Sequence, residues 1–134
     1  MRSEPLFNRL ALIGTGLIGS SIARGARAQG LVRSIVATAR SGATRARVAQ
    51  LGLADQVVDT SAAAVDGADL VILCVPVVQC GQVAAEIAPH LADGAILSDV
   101  GSVKGSVVRD VSPHVPDGVH FVPARASSTA TVRT

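Results

Sequence analysis

The chain has 134 residues, which is the usual size of one domain and is short for a two-domain enzyme. Hydrophobic residues make up 49% and aromatic residues 1%, so the core must be built from Ala, Val, Ile and Leu, as in buried parallel sheets. The longest apolar run, about residues 70–78, is far shorter than the roughly 20 residues of a membrane-spanning helix, and no signal-peptide pattern opens the chain. We therefore expect a soluble, cytosolic α/β protein with no membrane partner.

The formal net charge of +2 hides an asymmetry along the chain. Residues 1–50 carry eight arginines against one acid, whereas residues 51–124 carry two basic residues against nine acids. The basic half could attract an anionic cofactor, although most of these arginines are expected on solvated helix faces. Because no aromatic residues alternate with the basic ones, the sequence disfavours a nucleic-acid partner.

Predicted strands and helices alternate along the chain. An apolar run over residues 10–13 predicts the first strand, and a glycine turn then leads into a helix over 17–29 that Gly30 closes. Later strands are predicted over 34–39, 56–58, 69–75, 95–98 and 120–122. Later helices are predicted over 43–51 with Gly52 as the stop, from Ser61 as a capped short helix, over 79–91 and over 103–111. This order predicts a single Rossmann-type domain over residues 8–124, with a doubly wound, mostly parallel sheet.

The two cysteines, Cys74 and Cys80, are separated by five residues. This spacing fits neither a zinc site nor a small disulfide scaffold, so both are expected to be reduced thiols. Cys74 lies inside an apolar run and is predicted to be a small core residue.

The turn after the first strand carries the G-x-G-x-x-G pattern of dinucleotide-binding domains. The predicted cofactor-binding residues of this turn are Gly14, Thr15, Gly16, Leu17, Ile18 and Gly19. Gly14 permits the tight turn, Gly16 lets the backbone approach a pyrophosphate, and Gly19 lets the helix pack closely on the strand. Free N–H groups at the start of the helix then bind the anion. The alternative is a purely structural glycine turn.

The end of the second strand discriminates between NAD and NADP. An acidic residue there would bind the ribose 2′-hydroxyl and repel a 2′-phosphate, but this sequence has Thr38, Ala39, Arg40 and Ser41. A guanidinium beside hydroxyl groups suits a 2′-phosphate, so the sequence favours NADP over NAD. The alternative is that Arg40 only faces solvent and NAD binds.

The loop after the fifth strand lies at the sheet edge where such folds bind their ligands. Ser102 and Lys104 bring a hydroxyl and an ammonium group to this loop, which makes them candidate catalytic residues. Alternatively, Asp99 or Ser102 only caps the next helix, and Lys104 belongs to its solvated first turn.

Four segments occur in order at suitable separations: GTGLIGSSIA (14–23), LCVPV (73–77), SDVGSVKGSV (98–107) and HFVP (120–123). Through them, residues 8–124 closely resemble the nucleotide-binding domain of prephenate and arogenate dehydrogenases, the cyclohexadienyl dehydrogenases of tyrosine biosynthesis. The resemblance implies NAD(P)-dependent oxidative decarboxylation of prephenate or arogenate. It also implies a homodimer, although the family's C-terminal helical dimerisation domain has no counterpart in this sequence.

The resemblance assigns roles to individual residues. It implies that Ser102 forms a hydrogen bond near the substrate hydroxyl and the nicotinamide, that Lys104 supports this loop, and that Val75 and Pro76 border the cofactor ribose. The sequence departs from the family at Arg125, which stands where a histidine accepts the hydroxyl proton. An arginine is always protonated and cannot act as a base.

Three histidines occur elsewhere, and none replaces the missing one by its motif: His90, His114 and His120 are expected on the surface or at strand ends. Two hypotheses therefore stay open. The chain is either a dehydrogenase domain that binds cofactor with little turnover, or a non-catalytic dinucleotide-binding module.

Residues 125–134 are rich in Ala, Ser, Thr and Arg without apolar periodicity, which predicts a disordered tail. The resemblance stops abruptly after Ala124. Because codons for Arg-Ala-Ser can encode Ala-His-Pro when read one base later, we expect this tail to come from a shifted reading frame. The alternatives are that the C-terminus was chosen when the chain was designed for production, or that it is natural and unrelated to the family.

Overall fold

The computed structural model describes residues 6–14, 17–100 and 109–122. The predicted tail and most of the predicted helix over 103–111 lie outside these residues, although residues 109–111 are helical. The described strands are β1 Phe7–Ile13, β2 Val32–Thr38, β3 Gln56–Val58, β4 Leu70–Leu73, β5 Ile96–Asp99 and β6 His120–Phe121. The described α-helices are α1 Leu17–Ala28, α2 Gly42–Leu51, α3 Ser61–Val65 and α4 Val77–Ile87, with 3₁₀ turns at Ala88–His90 and Ser112–His114. None of these helices is long and apolar enough to cross a membrane.

The six strands form one sheet in the order β3-β2-β1-β4-β5-β6, and every pairing is parallel. This is the strand order of a Rossmann fold, as the alternation of elements predicts. The central strand β1 places Leu10 opposite Ile35 of β2 and opposite Leu70 of β4. Because the direction of winding reverses between β1 and β4, a crevice forms at their carboxyl ends.

Successive side chains of β1 enter two different cores. Leu10 and Leu12 belong to a buried cluster with residues of α1 and α2, whereas Ala11 and Ile13 belong to a cluster with residues of α3 and α4. Both faces of the sheet are therefore covered. This explains why the central strands are continuous apolar runs rather than alternating ones.

The ends of α1, α2 and α3 depend on local backbone and capping geometry. Gly30 and Gly52 follow α1 and α2 with φ angles of +65° and +67°, the left-handed conformation that favours glycine. The prediction that Ser61 caps α3 is wrong. Thr60, not Ser61, is the capping residue, because its hydroxyl accepts a hydrogen bond of 3.1 Å from the N–H of Ala63.

Strand β1 begins three residues before its predicted start. The added residues pair with β2, and the carboxylate of Asp69 accepts hydrogen bonds from the N–H groups of Asn8 and Arg9, at 2.9 and 2.8 Å. Strand β4 ends at Leu73, two residues before its predicted end, although the N–H of Cys74 still donates to the carbonyl of Ile13 at 2.7 Å.

Candidate cofactor site

A cavity of about 690 Å³ opens at the carboxyl ends of β1, β2 and β4. This volume falls within the range of about 300–1,000 Å³ that is typical of small-molecule sites. Predicted cofactor-binding residues from three separate segments line it: Gly14, Thr38, Arg40, Ser41, Val75 and Pro76. The fold therefore brings together residues that are up to 62 positions apart in the sequence, from Gly14 to Pro76.

The other predicted site residues are placed in part. Leu17, Ile18 and Gly19 open helix α1, and Gly19 is buried, in keeping with its proposed packing role. Asp99 is the last residue of β5 and is 1% exposed. The remaining predicted site residues lie outside the described residues: Thr15, Gly16, Ser102, Lys104 and Arg125.

Gly14 is the point where three segments meet. Its φ of +80° lies in the left-handed region, and its N–H donates to the carbonyl of Thr38 at 2.8 Å. A Cβ atom at this position would overlap Cγ1 of Val75 and lie 3.4 Å from the Val75 Cα atom. The turn after β1 therefore requires glycine both for its backbone conformation and for the close approach of the β4–α4 turn.

The predicted discriminating residues at the end of β2 have different environments. Thr38 is 4% exposed, and its hydroxyl donates to the carbonyl of Val58 at 2.7 Å, which binds β2 to β3. The Ser41 hydroxyl caps α2 by accepting a 3.0 Å hydrogen bond from the N–H of Thr44. Arg40 is exposed and lines the cavity. Among these three, Arg40 is the residue with a charged group available to a ligand.

Sequence reasoning missed several polar residues of the cavity wall. Thr44, Asp59, Thr60 and Gln79 all line it. Asp59 and Thr60 directly follow β3, so the rule that ligands bind at the carboxyl ends of parallel strands could have identified them. Thr44 and Gln79 lie on helices, and no local pattern marks them.

Arg45 organises the turn between β2 and α2, and the sequence analysis gave it no role. Its Nη1 atom donates to the carbonyl oxygens of Ala39 and Arg40, at 2.8 and 3.2 Å. Its Nε atom lies 3.6 Å from Oδ1 of Asp59. One guanidinium therefore connects the turn after β2 to the turn after β3.

The two thiols differ in burial, and the one predicted to be in the core is the less buried of the two. Cys74 was predicted to be a core residue, but it is half-buried and lines the cavity, because β4 ends one residue before it. Cys80 is fully buried. Burial, with a contribution from Cys80, raises the pKa of the Cys74 thiol to about 12. Cys74 is therefore a protonated wall residue at neutral pH and not a nucleophile.

The histidines are not part of this site. His90, His114 and His120 are all exposed, as predicted. His90 and His114 end 3₁₀ turns, and His120 begins β6. None of them lines the cavity.

Residues 22–126 match the family described as "Prephenate dehydrogenase, nucleotide-binding domain". The chain belongs to this family. The resemblance inferred from the four motifs is thus confirmed, and the match includes the segment that contains Ser102 and Lys104.

Curated relatives support this assignment. The cyclohexadienyl dehydrogenase of Zymomonas mobilis is 45% identical over 104 residues, which are 78% of this chain and 36% of the relative. The prephenate dehydrogenase of Lactococcus lactis is 33% identical over 104 residues, 75% of this chain and 28% of that protein. The chain thus spans about a third of the length of these dehydrogenases.

Solved structures share the fold. The prephenate dehydrogenase of Aquifex aeolicus, in complex with hydroxyphenyl propionate and NAD+, has a TM-score of 0.77 at 24% identity, covering 87% of this chain and 40% of that one. The arogenate dehydrogenase of Synechocystis has a TM-score of 0.75 at 24% identity, covering 89% and 42%. At these identities the likeness establishes the Rossmann architecture.

Proposed function

We propose that this domain binds NAD(P) in the cavity at the carboxyl ends of β1, β2 and β4, with NADP preferred over NAD. The observation that carries the proposal is the convergence of Gly14, Arg40 and Pro76, from three predicted cofactor-binding segments, on one cavity of about 690 Å³. The donor set fits the ligand. An exposed guanidinium and several hydroxyl groups suit a phosphorylated ribose, and the start of α1 suits a pyrophosphate.

The NADP preference rests on the charges around the end of β2. Arg40 is on the wall, and no acidic residue occupies the end of the strand to repel a 2′-phosphate. Asp59 does line the cavity, but it follows β3 and its carboxylate faces the Arg45 guanidinium. The positive charge of Arg40 is therefore the one presented at the discriminating position.

For the reaction, we propose the family's oxidative decarboxylation of prephenate or arogenate. Bound NAD(P)+ supplies the acceptor for the hydride that leaves the cyclohexadienol ring as carbon dioxide is lost. Ser102 is proposed to bind near the substrate hydroxyl, and Lys104 to support its loop. Arg125 cannot accept the hydroxyl proton, so this chain is proposed to bind cofactor with little turnover. The same observation favours the second candidate, a non-catalytic dinucleotide-binding module.

Isothermal titration of NADP+ and NAD+ into the chain tests the cofactor site. Arg40→Asp should weaken NADP+ binding by about 10- to 100-fold, since it removes one charge-assisted interaction and adds a repulsive charge. NAD+ binding should change much less. Arg33→Asp is the matched control, because Arg33 is an exposed residue at the opposite end of β2. A wild type that binds NAD+ more tightly would refute the preference, and one that binds neither dinucleotide would refute the site.

A further inference from the structure

We propose that Arg45 is a positioning residue for cofactor discrimination: it fixes the β2–α2 turn so that Arg40 and Ser41 face the 2′-phosphate. This inference rests on the proposed function, because it explains how the same cavity would distinguish NADP from NAD. It concerns a residue that the G-x-G-x-x-G pattern and the end of β2 do not mark.

The hydrogen bonds of Arg45 point to this role. Its side chain turns back over the start of its own helix, and Nη1 donates to the Ala39 and Arg40 carbonyls at 2.8 and 3.2 Å. Its backbone N–H donates to the Ser41 carbonyl at 3.1 Å, the first i→i−4 bond of α2, which does not depend on the side chain. The side chain itself thus binds two consecutive carbonyl groups of the turn. A turn held in this way presents its side chains in a fixed direction.

The position of Arg45 on α2 is electrostatically unfavourable for the helix itself. Arg45 is the fourth residue of α2, and the first turn contains no acidic residue. A cation near a helix N-terminus opposes the helix dipole and is unfavourable for the helix. The bonds to the turn, and the carboxylate of Asp59 at 3.6 Å, offset this cost. An arginine at position 45 therefore stabilises the turn between β2 and α2, although its charge is unfavourable for the start of α2.

Asp59 is not what holds the guanidinium in place. Its side chain is 87% exposed and the closest N–O distance is 3.6 Å, beyond a hydrogen bond. Exposed pairs of this kind contribute little to stability. The Arg45 side chain is 25% exposed, and its Nη1 atom lies within hydrogen-bond distance of both carbonyl oxygens, at 2.8 Å for Ala39 and 3.2 Å for Arg40. The carbonyl bonds, and not the ion pair, are thus proposed to hold the turn.

Geometry and charge can be separated by substitution. Lysine keeps the positive charge of Arg45, but its side chain ends one bond before the position of Nη1, the atom that binds both carbonyls, so its Nζ atom falls short of them. If Arg45 acts through the turn, Arg45→Lys should behave like Arg45→Gln. If it acts only through its charge, Arg45→Lys should behave like the wild type.

The test is isothermal titration of NADP+ and NAD+ into the full chain and its variants. Arg45→Lys and Arg45→Gln are each expected to weaken NADP+ binding by about five- to tenfold, which corresponds to the loss of roughly one hydrogen bond. The affinity for NAD+ should change by less than about twofold. Asp59→Asn removes a negative charge from the cavity wall together with the ion pair, so it should not weaken NADP+ binding. Arg47→Gln, an exposed arginine on the same helix that does not line the cavity, is the control.

The outcomes distinguish the two proposals. A wild type that binds neither dinucleotide overturns the proposed function itself. A wild-type ratio of NADP+ to NAD+ affinity in Arg45→Lys, or an equal loss of both cofactors, overturns only the positioning role. A loss of NADP+ binding in Asp59→Asn equal to that in Arg45→Lys would show that the ion pair acts instead of the carbonyl bonds. Arg45→Lys keeps the charge and the aliphatic part of the side chain, so it tests the proposal even if Arg45→Gln does not fold.

Discussion

Replacing Gly14 with alanine is expected to destabilise the fold at the point where the cofactor cavity is built. Gly14 has a φ of +80°, and an added Cβ would overlap Cγ1 of Val75. Two separate costs therefore apply. The first is the backbone conformation of a residue with a side chain, and the second is the collision with the turn after β4.

The structure allows each cost to be assigned a magnitude. A left-handed conformation costs a residue other than glycine about 1–2 kcal/mol. Overpacking against a well-packed side chain costs about 1–3 kcal/mol. Gly14→Ala should thus lower the free energy of unfolding by about 2–5 kcal/mol. This would be a large part of the stability of an ordinary domain, about 5–15 kcal/mol.

Urea unfolding followed by circular dichroism measures this loss, and two further variants separate its parts. Gly30 has a φ of +65° with no atom within 4 Å of an added Cβ, so Gly30→Ala should show the conformational cost alone. Val75→Ala in the Gly14→Ala background removes the overlapping methyl group. The double-mutant cycle should therefore give a favourable coupling of about 1–3 kcal/mol.

The reasoning would be refuted if Gly14→Ala cost no more than Gly30→Ala. It would also be refuted if Val75→Ala did not recover any stability in the Gly14→Ala background. Either result would mean that the turns after β1 and β4 are not packed as closely as the structure has them.

Two further predictions concern pH and turnover. Burial raises the pKa of Asp55, but hydrogen bonds from the Ile35 N–H and from Arg27 outweigh burial and lower this pKa below its usual value of 3.8. Ionised Asp55 therefore stabilises the fold fully above pH 3.8, and this contribution is lost as the pH falls through the lowered pKa. Because the Asp55 side chain is 46% exposed, Asp55→Asn should lower the free energy of unfolding at neutral pH by at most about 1 kcal/mol. This difference from the wild type should disappear in urea melts well below pH 3.8, and a difference that persists there would contradict the assignment to the ionised carboxylate. With prephenate and NAD(P)+, the chain should show no useful turnover, since the loss of a general base alone costs about 10²- to 10⁴-fold; a sustained rise in reduced-nicotinamide absorbance would disprove it.

The architecture could be predicted because the signals that specify it are local. The apolar runs of β2, β4 and β5 are separated from one another by glycines and by stretches with helical periodicity. The alternation of strands and helices was therefore visible in the sequence. The ends of elements were less predictable. The extension of β1 over Asn8 and Arg9 depends on the carboxylate of Asp69, about 60 residues away, and no pattern near β1 reveals such a partner.

The candidate site was predictable where a backbone motif or a strand end marks it. Gly14 and Arg40 were identified in this way, and both line the cavity. Arg45 was not, because its proposed role depends on its side chain reaching back to the carbonyl groups of Ala39 and Arg40. No residue pattern marks such a contact, which exists only once the turn between β2 and α2 has formed.

The most direct test of the account is a backbone NMR titration of the chain with NADP+. We predict that the amide signals that shift are those around the cavity, at Gly14, residues 38–41, Cys74 and Val75. Amides at the opposite edge of the sheet, such as Asn8 and Asp69, should stay unchanged. Saturable shifts at the opposite edge, or no shifts at all at high NADP+ concentration, would contradict a dinucleotide site at the carboxyl ends of these strands.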